Sequence, residues 1–341
     1  MLYFASDYQE GCCPEILDAL EKTNLDHHVG YGKDTVCEDA KERIKVVCGS
    51  PDAVVHFLTG GTQANSTVIA ALLRQYQGVF AAESGHIAGH EAGAVEYTGH
   101  KVLCLPPENG KVTASSVASY MEAFLANDTH DHMVEPGMVY ISHPTESGTL
   151  YTKRELSDLH AVCSQYHLPL YLDGARLGYG LVAPGTDVSL SDIASLTDVF
   201  TIGGTKVGAL FGEAVVFTRA ELADHFFTIT KEHGALLAKG WLLGLQFGTL
   251  FSDDLYFRIS RHAVELALQL KSGLSAKGYT FHPETVTNQQ FPVVKNTVLE
   301  PLSKKVVYSL WEPLDKDRSV IRLATSWATT EEDVAALLAC L

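Results

Sequence analysis

Three short segments of the chain carry residue types that could do chemistry, and each follows an apolar run. The first, residues 59–65, reads Thr-Gly-Gly-Thr-Gln-Ala-Asn and leads into a helical pattern. Glycines let the backbone approach a ligand closely, and the unpaired N–H groups at a helix start attract anions. The Thr62 hydroxyl could add a donor. A phosphate site or an ordinary strand–helix turn would explain this segment, which matches no strong nucleotide-binding signature.

The second segment places a carboxylate at the end of an apolar run. Residues 170–176 read Leu-Tyr-Leu-Asp-Gly-Ala-Arg, so Asp173 would lie at the edge where open α/β sheets carry their sites. A carboxylate is costly to bury there unless it is paired, and a helix N-cap is the alternative to a functional role. Arg176 could be the ion partner of Asp173 or a second contact for an anion.

The third segment, residues 199–208, places Lys206 after an apolar run and among glycines and threonines. Such surroundings would depress the pKa of the amine and favour a nucleophile, with a solvent-facing loop lysine as the alternative. Together the three segments supply what pyridoxal phosphate needs from a protein. The helix start would hold its phosphate, Asp173 would keep its pyridine nitrogen protonated, and Lys206 would form a Schiff base with it.

An alternation of strands and helices must position these segments. Apolar runs predict strands over residues 54–58, 78–82, 102–105, 138–142, 168–172, 199–202 and 214–217. Helical periodicity covers residues 62–75 and 153–166. This alternation predicts an α/β fold with a mainly parallel sheet that helices cover on both faces.

The pattern changes in the last part of the chain. A long helical pattern covers residues 255–277, and a last helix starts at Thr330, where Asp333 completes a capping box. Short strands are predicted over residues 279–282, 291–294, 306–310 and 320–324. We therefore predict a large cofactor-binding domain with an N-terminal arm over residues 1–250 and a small α+β domain over residues 251–341.

Composition excludes several classes of protein. The 341 residues are 46% apolar and 19% charged, which is typical of a folded chain. A net charge of −16 would repel phosphate backbones, so nucleic acid is not expected as a partner. The seven cysteines are odd in number and irregularly spaced, which favours a reducing compartment. Without a signal peptide or a membrane-length apolar run, the chain is expected in the cytoplasm and off the membrane.

No metal site is predicted. The histidines at positions 27, 28, 130 and 132 lie in polar turns and lack the spacing of a ligand cluster. Solvated loops are the favoured interpretation of both groups.

The chain resembles the threonine aldolase/β-eliminating lyase family of fold-type I pyridoxal-phosphate enzymes over nearly its whole length. The most specific feature is Asp173-Gly174-Ala175-Arg176. The supporting features are Ser6-Asp7, residues 30–34, residues 60–65, His86-Ile87 with Glu91, residues 145–149, and Gly204-Thr205-Lys206. The resemblance implies a large lobe with a mainly parallel sheet of the seven-stranded type and a smaller C-terminal α+β lobe.

The resemblance also implies roles for single residues. Lys206 would bind the cofactor covalently, Asp173 would pair with its pyridine nitrogen, and His86 would lie flat on its ring as a candidate acid–base group. The implied phosphate-binding residues are Gly61, Thr62 and Gln63. Glu91 is by default a glutamate on a helix surface.

A substrate carboxylate would need cations. The resemblance implies Arg322 for this role, with Ser6 as a further hydrogen-bond donor, although an edge-strand arginine pointing to water is the alternative. Arg176 could face the substrate carboxylate or the ring hydroxyl. The usual Asn-Thr-His-Asn of the family is replaced by residues 141–146, Ile-Ser-His-Pro-Thr-Glu, so the role of His143 stays open.

The activity implied is that of a lyase cleaving the Cα–Cβ bond of a β-hydroxy-α-amino acid to glycine and an aldehyde. Threonine, allo-threonine and phenylserine are the expected type of substrate. A β-eliminating lyase or an aminotransferase is the alternative on the same fold, and a non-catalytic anion-binding α/β protein is the second. Since family members share active sites between subunits, a homodimer or homotetramer is expected.

Overall fold

The structure is a computed structural model that describes residues 1–341. Its strands are β1 (Leu2–Tyr3), β2 (Val54–Leu58), β3 (Gln77–Ala82), β4 (Lys101–Leu105), β5 (Glu135–Ser142), β6 (Leu170–Asp173), β7 (Val199–Gly203), β8 (Glu213–Phe217), β9 (Gln289–Gln290), β10 (Val293–Lys295), β11 (Val306–Val307), β12 (Ser309–Pro313) and β13 (Arg318–Ala324). Its helices are α1 (Pro14–Thr23), α2 (Thr35–Cys48), α3 (Gly61–Leu72), α4 (His86–Gly89), α5 (Ala94–Tyr97), α6 (Ala114–Leu125), α7 (Lys153–Gln165), α8 (Leu177–Val182), α9 (Leu190–Leu196), α10 (Phe226–Glu232), α11 (Trp241–Leu250), α12 (Leu255–Ala276), α13 (Asn296–Ser303) and α14 (Glu331–Cys340).

Seven strands form the large sheet in the order β2-β8-β7-β6-β5-β3-β4. Strand β8 runs antiparallel to both of its neighbours, and every other pairing in this sheet is parallel. Each of the seven apolar runs that predicted a strand of this sheet overlaps an observed strand, so the α/β class and the mainly parallel sheet are confirmed.

The large sheet is buried on both faces, as its continuous apolar runs require. Side chains alternate between faces along each strand, so neighbours enter different cores. Leu170 and Leu172 belong to the larger hydrophobic core, whereas Tyr171 between them belongs to the smaller core on the opposite face. On β7, Phe200 belongs to the larger core and Val199 to the smaller one. Strands β6 and β7 are therefore held by packing on both faces of the sheet.

A second sheet lies in the C-terminal part. Strand β13 is its central strand, with β10 and β12 antiparallel on its two sides and β9 paired to its carboxyl end. The predicted capping box is confirmed, because Thr330 accepts a hydrogen bond from Asp333 N and the Asp333 side chain accepts from the Thr330 backbone. This cap begins α14, which packs against α12.

Two of the predicted C-terminal strands differ from the structure. The strand predicted over residues 279–282 is wrong, since only an isolated bridge joins Phe281 to Pro292. Proline has no N–H to donate, so the ladder stops at that pair. The run predicted over residues 306–310 is two strands, because β11 pairs with β1 while β12 pairs with β13.

Two segments connect the lobes. Phe4, next to β1, packs in the small hydrophobic core with residues of the C-terminal sheet. Helix α12 contributes Leu255 and Tyr256 to the large core and Leu270 and Leu274 to the small one. The domain boundary at residue 250 therefore stays a prediction. None of the helices combines the length and the apolar character that crossing a membrane requires.

Candidate active site

A cavity of about 490 Å³ lies between the two lobes. Its lining residues are Tyr8, His86, His90, Glu146, Arg176, Lys206, Ser309, Leu310, Trp311 and Arg322. An inner hollow shares His86, Glu146, Arg176 and Lys206 with this cavity and adds residues of the large sheet and of the α3 start. The added residues are Gly61, Asn65, Ser142, Pro144, Asp173 and Ala175. The structure thus brings most of the predicted site residues to one place.

Asp173 ends β6 at the floor of the inner hollow and is 5% exposed. Its Oδ2 accepts hydrogen bonds from Asn65 Nδ2 at 2.9 Å and from the Tyr140 hydroxyl at 2.7 Å. Its Oδ1 accepts from Ala175 N at 2.9 Å. The N-cap alternative is wrong, because α8 begins at Leu177 and Asp173 lies outside its cap. Three hydrogen-bond donors therefore satisfy this buried carboxyl group.

A hydrogen-bonded chain connects Asp173 to His86. Asn65 Nδ2 also donates to Glu91 Oε1 at 2.8 Å, and the same oxygen lies 2.7 Å from His86 Nδ1. The Tyr171 hydroxyl donates to Asn65 Oδ1 at 2.6 Å and fixes the amide orientation. Because a carboxylate oxygen accepts, Nδ1 of His86 is the donor in this pair, and Nε2 makes no hydrogen bond within the chain.

The default interpretation of Glu91 as a surface helix residue is wrong. Glu91 lies between α4 and α5, and its side chain is 0% exposed. Its only short contacts are with His86 and Asn65, so it orients the imidazole ring.

Lys206 follows β7 and lies partly buried in the wall shared by both spaces. Burial lowers the pKa of its amine, and the nearby Arg176 guanidinium lowers it further. The Tyr8 ring lies 6.0 Å from Nζ, and the Tyr179 hydroxyl donates to the Lys206 carbonyl oxygen at 2.5 Å. The solvent-facing alternative is therefore wrong, and the amine is suited to act as a nucleophile.

Arg176 pairs with Asp7, so of its two predicted roles the one as ion partner of Asp173 is wrong. Arg176 Nε donates to Asp7 Oδ2 at 2.7 Å, and Nη2 donates to Oδ1 at 2.9 Å. Asn288 Nδ2 also donates to Oδ2. Although burial alone would raise the pKa of Asp7, the guanidinium outweighs it and holds that pKa below its usual value. This bidentate pair leaves Nη1 of Arg176 for a further contact.

Arg322 lies on the central strand of the small sheet, so the edge-strand alternative is wrong. Its Nη2 donates to the Ala5 carbonyl at 2.9 Å and to Ser309 Oγ at 3.3 Å, and its Cζ lies 5.5 Å from the Trp311 ring centre. No carboxylate forms an ion pair with it. Burial, and then Arg176, lower its pKa. A cation without a counterion at the cavity wall fits an anionic ligand.

The start of α3 fits an anion as well. Its cap residue Gly60 offers no side-chain cap, its first turn has no acidic residue, and open space surrounds Gly61. Gly61 lines the inner hollow, but the side chains of Thr62 and Gln63 do not. The Gln63 amide oxygen instead accepts from the Thr59 hydroxyl at 2.7 Å. Backbone N–H groups, more than these side chains, are available to a ligand.

Ser6, like Thr62 and Gln63, lies outside the lining of both spaces. It lies between Ala5, which binds Arg322, and Asp7, which binds Arg176. Its implied hydrogen bond to a substrate stays a prediction.

Comparisons with known proteins agree with this geometry. A family model described as beta-eliminating lyase matches residues 3–297. The chain belongs to the beta-eliminating lyase family. A low specificity L-threonine aldolase from Pseudomonas sp. (strain NCIMB 10558) is 33% identical over 98% of this chain and 96% of its own. The corresponding protein of Pseudomonas aeruginosa is 32% identical over 90% and 86%.

A solved threonine aldolase from Leishmania major matches the fold of this family member throughout. Its TM-score is 0.96 at 42% identity, covering 99% of this chain and 98% of that one. The large, mainly parallel sheet with a separate small sheet is therefore the fold-type I arrangement, as predicted.

Reasoning from sequence missed one carboxylate of this lyase-family site. Glu146 lines both spaces, and its Oε1 accepts from His86 N at 2.8 Å and from Ser142 Oγ at 2.7 Å. A signal was present, because Glu146 follows β5 among small polar residues, in the same way that Lys206 follows β7. Asn65 and Tyr140, which hold Asp173, were also missed.

His143 lies behind the site and lines neither space. It is fully buried, its Nδ1 accepts from Tyr151 N at 3.3 Å, and burial lowers its pKa to about 4. Its place in the core favours a structural role over a catalytic one.

Proposed function

We propose that this chain is a pyridoxal-phosphate-dependent aldehyde-lyase of the threonine aldolase type. It would cleave the Cα–Cβ bond of a β-hydroxy-α-amino acid to glycine and an aldehyde. The observation that carries the proposal is a lysine amine of lowered pKa beside a buried, three-fold hydrogen-bonded carboxylate, Lys206 and Asp173. Relatives named low specificity L-threonine aldolase over nearly the full length support the substrate type.

The residues present fit the cofactor. Lys206 would bind its aldehyde carbon, Asp173 would bind its pyridine nitrogen, and the N–H groups at the start of α3 would bind its phosphate. His86, oriented by Glu91, would contact its ring. When bound, pyridoxal phosphate supplies an electron sink for the pair released as a bond to Cα breaks.

The remaining residues would hold the substrate. Arg322 lacks a carboxylate partner and would bind the substrate carboxylate, together with Nη1 of Arg176. Binding the carboxylate at a fixed point determines which bond at Cα stands in the reactive direction, so positioning supplies much of the catalysis. Tyr8 and Trp311 line the same cavity and would limit the access of water.

Replacing the lysine tests the proposal. The wild-type protein loaded with pyridoxal phosphate should absorb visible light. Borohydride reduction should attach the cofactor permanently, and the peptide that carries this cofactor label should be the one with Lys206. The Lys206→Ala variant should lose the trapped label and acetaldehyde release from L-threonine, whereas Lys304→Ala, at an exposed lysine, should retain both. Label on another peptide, or no label in the wild type, would falsify the cofactor assignment.

The products separate the proposed reaction from other chemistry on the same fold. Aldehyde and glycine in equal amounts are expected from L-threonine or phenylserine. Ammonia with a keto acid would show β-elimination, and an amino-acid product from an added keto acid would show transamination. Protein that takes up no cofactor would favour a non-catalytic anion-binding role.

We also infer a homodimer or homotetramer with shared sites. Exposed apolar side chains at Leu25 (86%), Val29 (64%) and Tyr31 (42%) support this assembly, because their burial between copies would remove them from water. Light scattering should give a mass of two or four chains, and a fully active monomer would contradict the inference.

A cytoplasmic location is proposed on the state of the cysteines. All seven are free thiols and five of them are buried, which suits a reducing compartment. Cell fractionation would check this location, and recovery with secreted proteins would contradict it.

A further inference from the structure

We propose that Glu146 is a catalytic residue that takes up the proton of the substrate's β-hydroxyl group as the Cα–Cβ bond breaks. The proposal rests on the aldehyde-lyase activity proposed above and assigns its missing base. Asp173 supplies no proton acceptor for that hydroxyl group, because it would bind the cofactor's ring nitrogen. Lys206 is a rival base, because the incoming substrate amine would replace its amine on the cofactor.

The carboxylate of Glu146 is held by one oxygen only. Oε1 accepts from His86 N at 2.8 Å and from Ser142 Oγ at 2.7 Å, whereas Oε2 makes no hydrogen bond within the chain. Glu146 lines the inner hollow together with Asp173 and lines the cavity together with Arg322. Its carboxylate therefore stands between the residues proposed for the cofactor and the residue proposed for the substrate carboxylate.

Hydrogen bonds hold the loop that carries Glu146. Thr145 N donates to the Thr149 carbonyl at 3.0 Å, and Gly148 N donates to the Thr145 carbonyl at 2.8 Å. Thr285, in the small lobe, donates from its hydroxyl to the Gly148 carbonyl at 3.0 Å. A base presented by such a loop needs little reorganisation when a substrate arrives.

Charges around Glu146 suit a proton acceptor. The groups that face it are His86 and His90 from α4 and the segment after it, Tyr140 from β5, Asp173 and Arg176 from the end of β6, and Lys206 after β7. None of the cations forms an ion pair with it. Burial raises the pKa of Glu146, with the charge of Asp173 adding to this, while the Ser142 hydrogen bond opposes it. A raised pKa improves a carboxylate as a base near neutral pH.

Three other groups near the cavity are poor candidates for the base, because of their chemistry, their partners or their position. Arg176 does not give up its proton and is bound by Asp7. His90 is exposed at the outer wall, and His143 lines neither space. His86 is a further rival beside Lys206, because its Nε2 is available while Glu91 holds its Nδ1.

The proposed step balances. The O–H proton passes to Glu146 Oε2, and the electron pair of that bond forms the second bond of the aldehyde C=O. The Cα–Cβ bond breaks, and its electron pair stays on the glycine side, where a proton returns to Cα. Glu146 gives up its proton in the same turnover, so no oxidant or reductant is consumed.

The test compares two reactions of the holoenzyme, only one of which involves a β-hydroxyl group. Glu146→Gln should lower L-threonine cleavage at least about 100-fold. The same variant should keep the visible absorbance of the cofactor, the dissociation constant for glycine, and the exchange of the glycine Cα proton for deuterium within about threefold. Glu122→Gln, at an exposed glutamate of α6, serves as the matched control and should match the wild type throughout.

The pH profile gives a further readout. The acidic limb of kcat for cleavage should disappear in Glu146→Gln and persist in His86→Asn. Should the glutamine variant not fold, Glu146→Asp should cleave about tenfold more slowly than the wild type with the limb still present.

Each contrary result overturns the assignment. Cleavage by Glu146→Gln within a few fold of the wild type would remove Glu146 from the reaction. Equal loss of cleavage, glycine exchange and absorbance would show a structural role, and loss of the acidic limb only in His86→Asn would identify His86 as the base. A wild type that exchanges the glycine proton yet releases no aldehyde would instead overturn the proposed function itself, and this assignment with it.

Discussion

The ion pair between Asp7 and Arg176 connects the first residues of the chain to the floor of the site. Asp7 is 1% exposed, and its oxygens receive donors from both Arg176 and Asn288. Breaking such a pair by removing one charge leaves the other buried without a counterion, which costs far more than the loss of a surface pair.

We expect Asp7→Asn to lower the free energy of unfolding by about 3 kcal/mol. Without Asp7 to hold it, the Arg176 guanidinium would bind the substrate carboxylate in an altered geometry. KM for L-threonine should therefore rise. Asp158→Asn is the matched control, because Asp158 pairs with Arg154 on the surface and should cost under about 1 kcal/mol. Denaturant unfolding at pH 7 measures the free energy of unfolding of both variants. Equal losses in the two variants would contradict the idea that burial makes the Asp7 pair costly to break.

Single residues were predictable where the local sequence marked them. Asp173 and Lys206 stand out because each is a charged residue that follows an apolar run at the end of a strand. The partner of Arg176 was not predictable in this way, since Asp7 lies 169 positions away and only the closed fold brings them together. Glu91 was misassigned because burial of a short segment between α4 and α5 depends on packing from distant elements.

At the element scale, the loop after β5 depends on a glycine. Gly148 has a φ of +76°, and a Cβ placed there would lie 2.6 Å from Thr285 Oγ1 and 3.0 Å from Thr287 Oγ1. Both threonines are buried in the small lobe. The loop can therefore approach the small lobe only without a side chain at this position.

Gly148→Ala should destabilise the fold by about 3 kcal/mol, from backbone strain together with overpacking. It should also lower L-threonine cleavage, because the same loop carries Glu146. Gly234→Ala is the matched control: Gly234 has a similar φ of +66° but open space around it, so only the strain of about 1 kcal/mol remains. Thermal unfolding of both variants checks the difference, and similar losses would show that the contact with Thr285 has no effect.

Elements were predictable where periodicity and end signals agreed. The strands of the large sheet are short apolar runs between turn residues, and α7 and α14 begin at capping boxes. Helix α11 escaped prediction because it is apolar on nearly all sides, which removes the helical period. Helices α1 and α2 were predictable in principle, from Pro14 in the first turn and from Asp34 as an N-cap.

For the molecule as a whole, two histidines of lowered pKa, the buried His143 and the half-buried His56, make stability depend on pH. Burial lowers the pKa of His143 to about 4, against about 6.5 in an unfolded chain. Between these values the unfolded chain binds more protons than the folded one, so stability falls as pH falls through this window. The size of the effect is about 3 kcal/mol for His143, and His56, whose pKa burial also lowers to about 4, contributes in the same window.

His143→Asn should reduce this dependence. Asparagine keeps an acceptor for Tyr151 N but does not titrate, so between pH 7 and pH 4 the variant should lose about 3 kcal/mol less than the wild type does. His132→Asn, at an exposed histidine, should leave the dependence unchanged. Urea unfolding at several pH values gives the slopes, and parallel curves for the wild type and His143→Asn would contradict the prediction.

The fold class was predictable because strands and helices alternate over most of the chain, whereas the contact between lobes was not. The cavity is completed by Trp311 and Arg322 from the small lobe and by Tyr8 from the N-terminal segment. No local pattern indicates that these segments meet, because their contacts close loops of some 300 residues.

The pairing of β1 with β11 has a consequence for how the chain is made on the ribosome. Leu2 lies opposite Val306, and the Ala5 carbonyl receives its hydrogen bonds from Ser309 and Arg322. The first residues to leave the exit tunnel thus find their partners only after about nine-tenths of the protein has been translated. The large sheet can form while synthesis continues. The N-terminal strand stays unpaired until the C-terminal strands have been made, so the catalytic cavity is the last part of the fold to be completed.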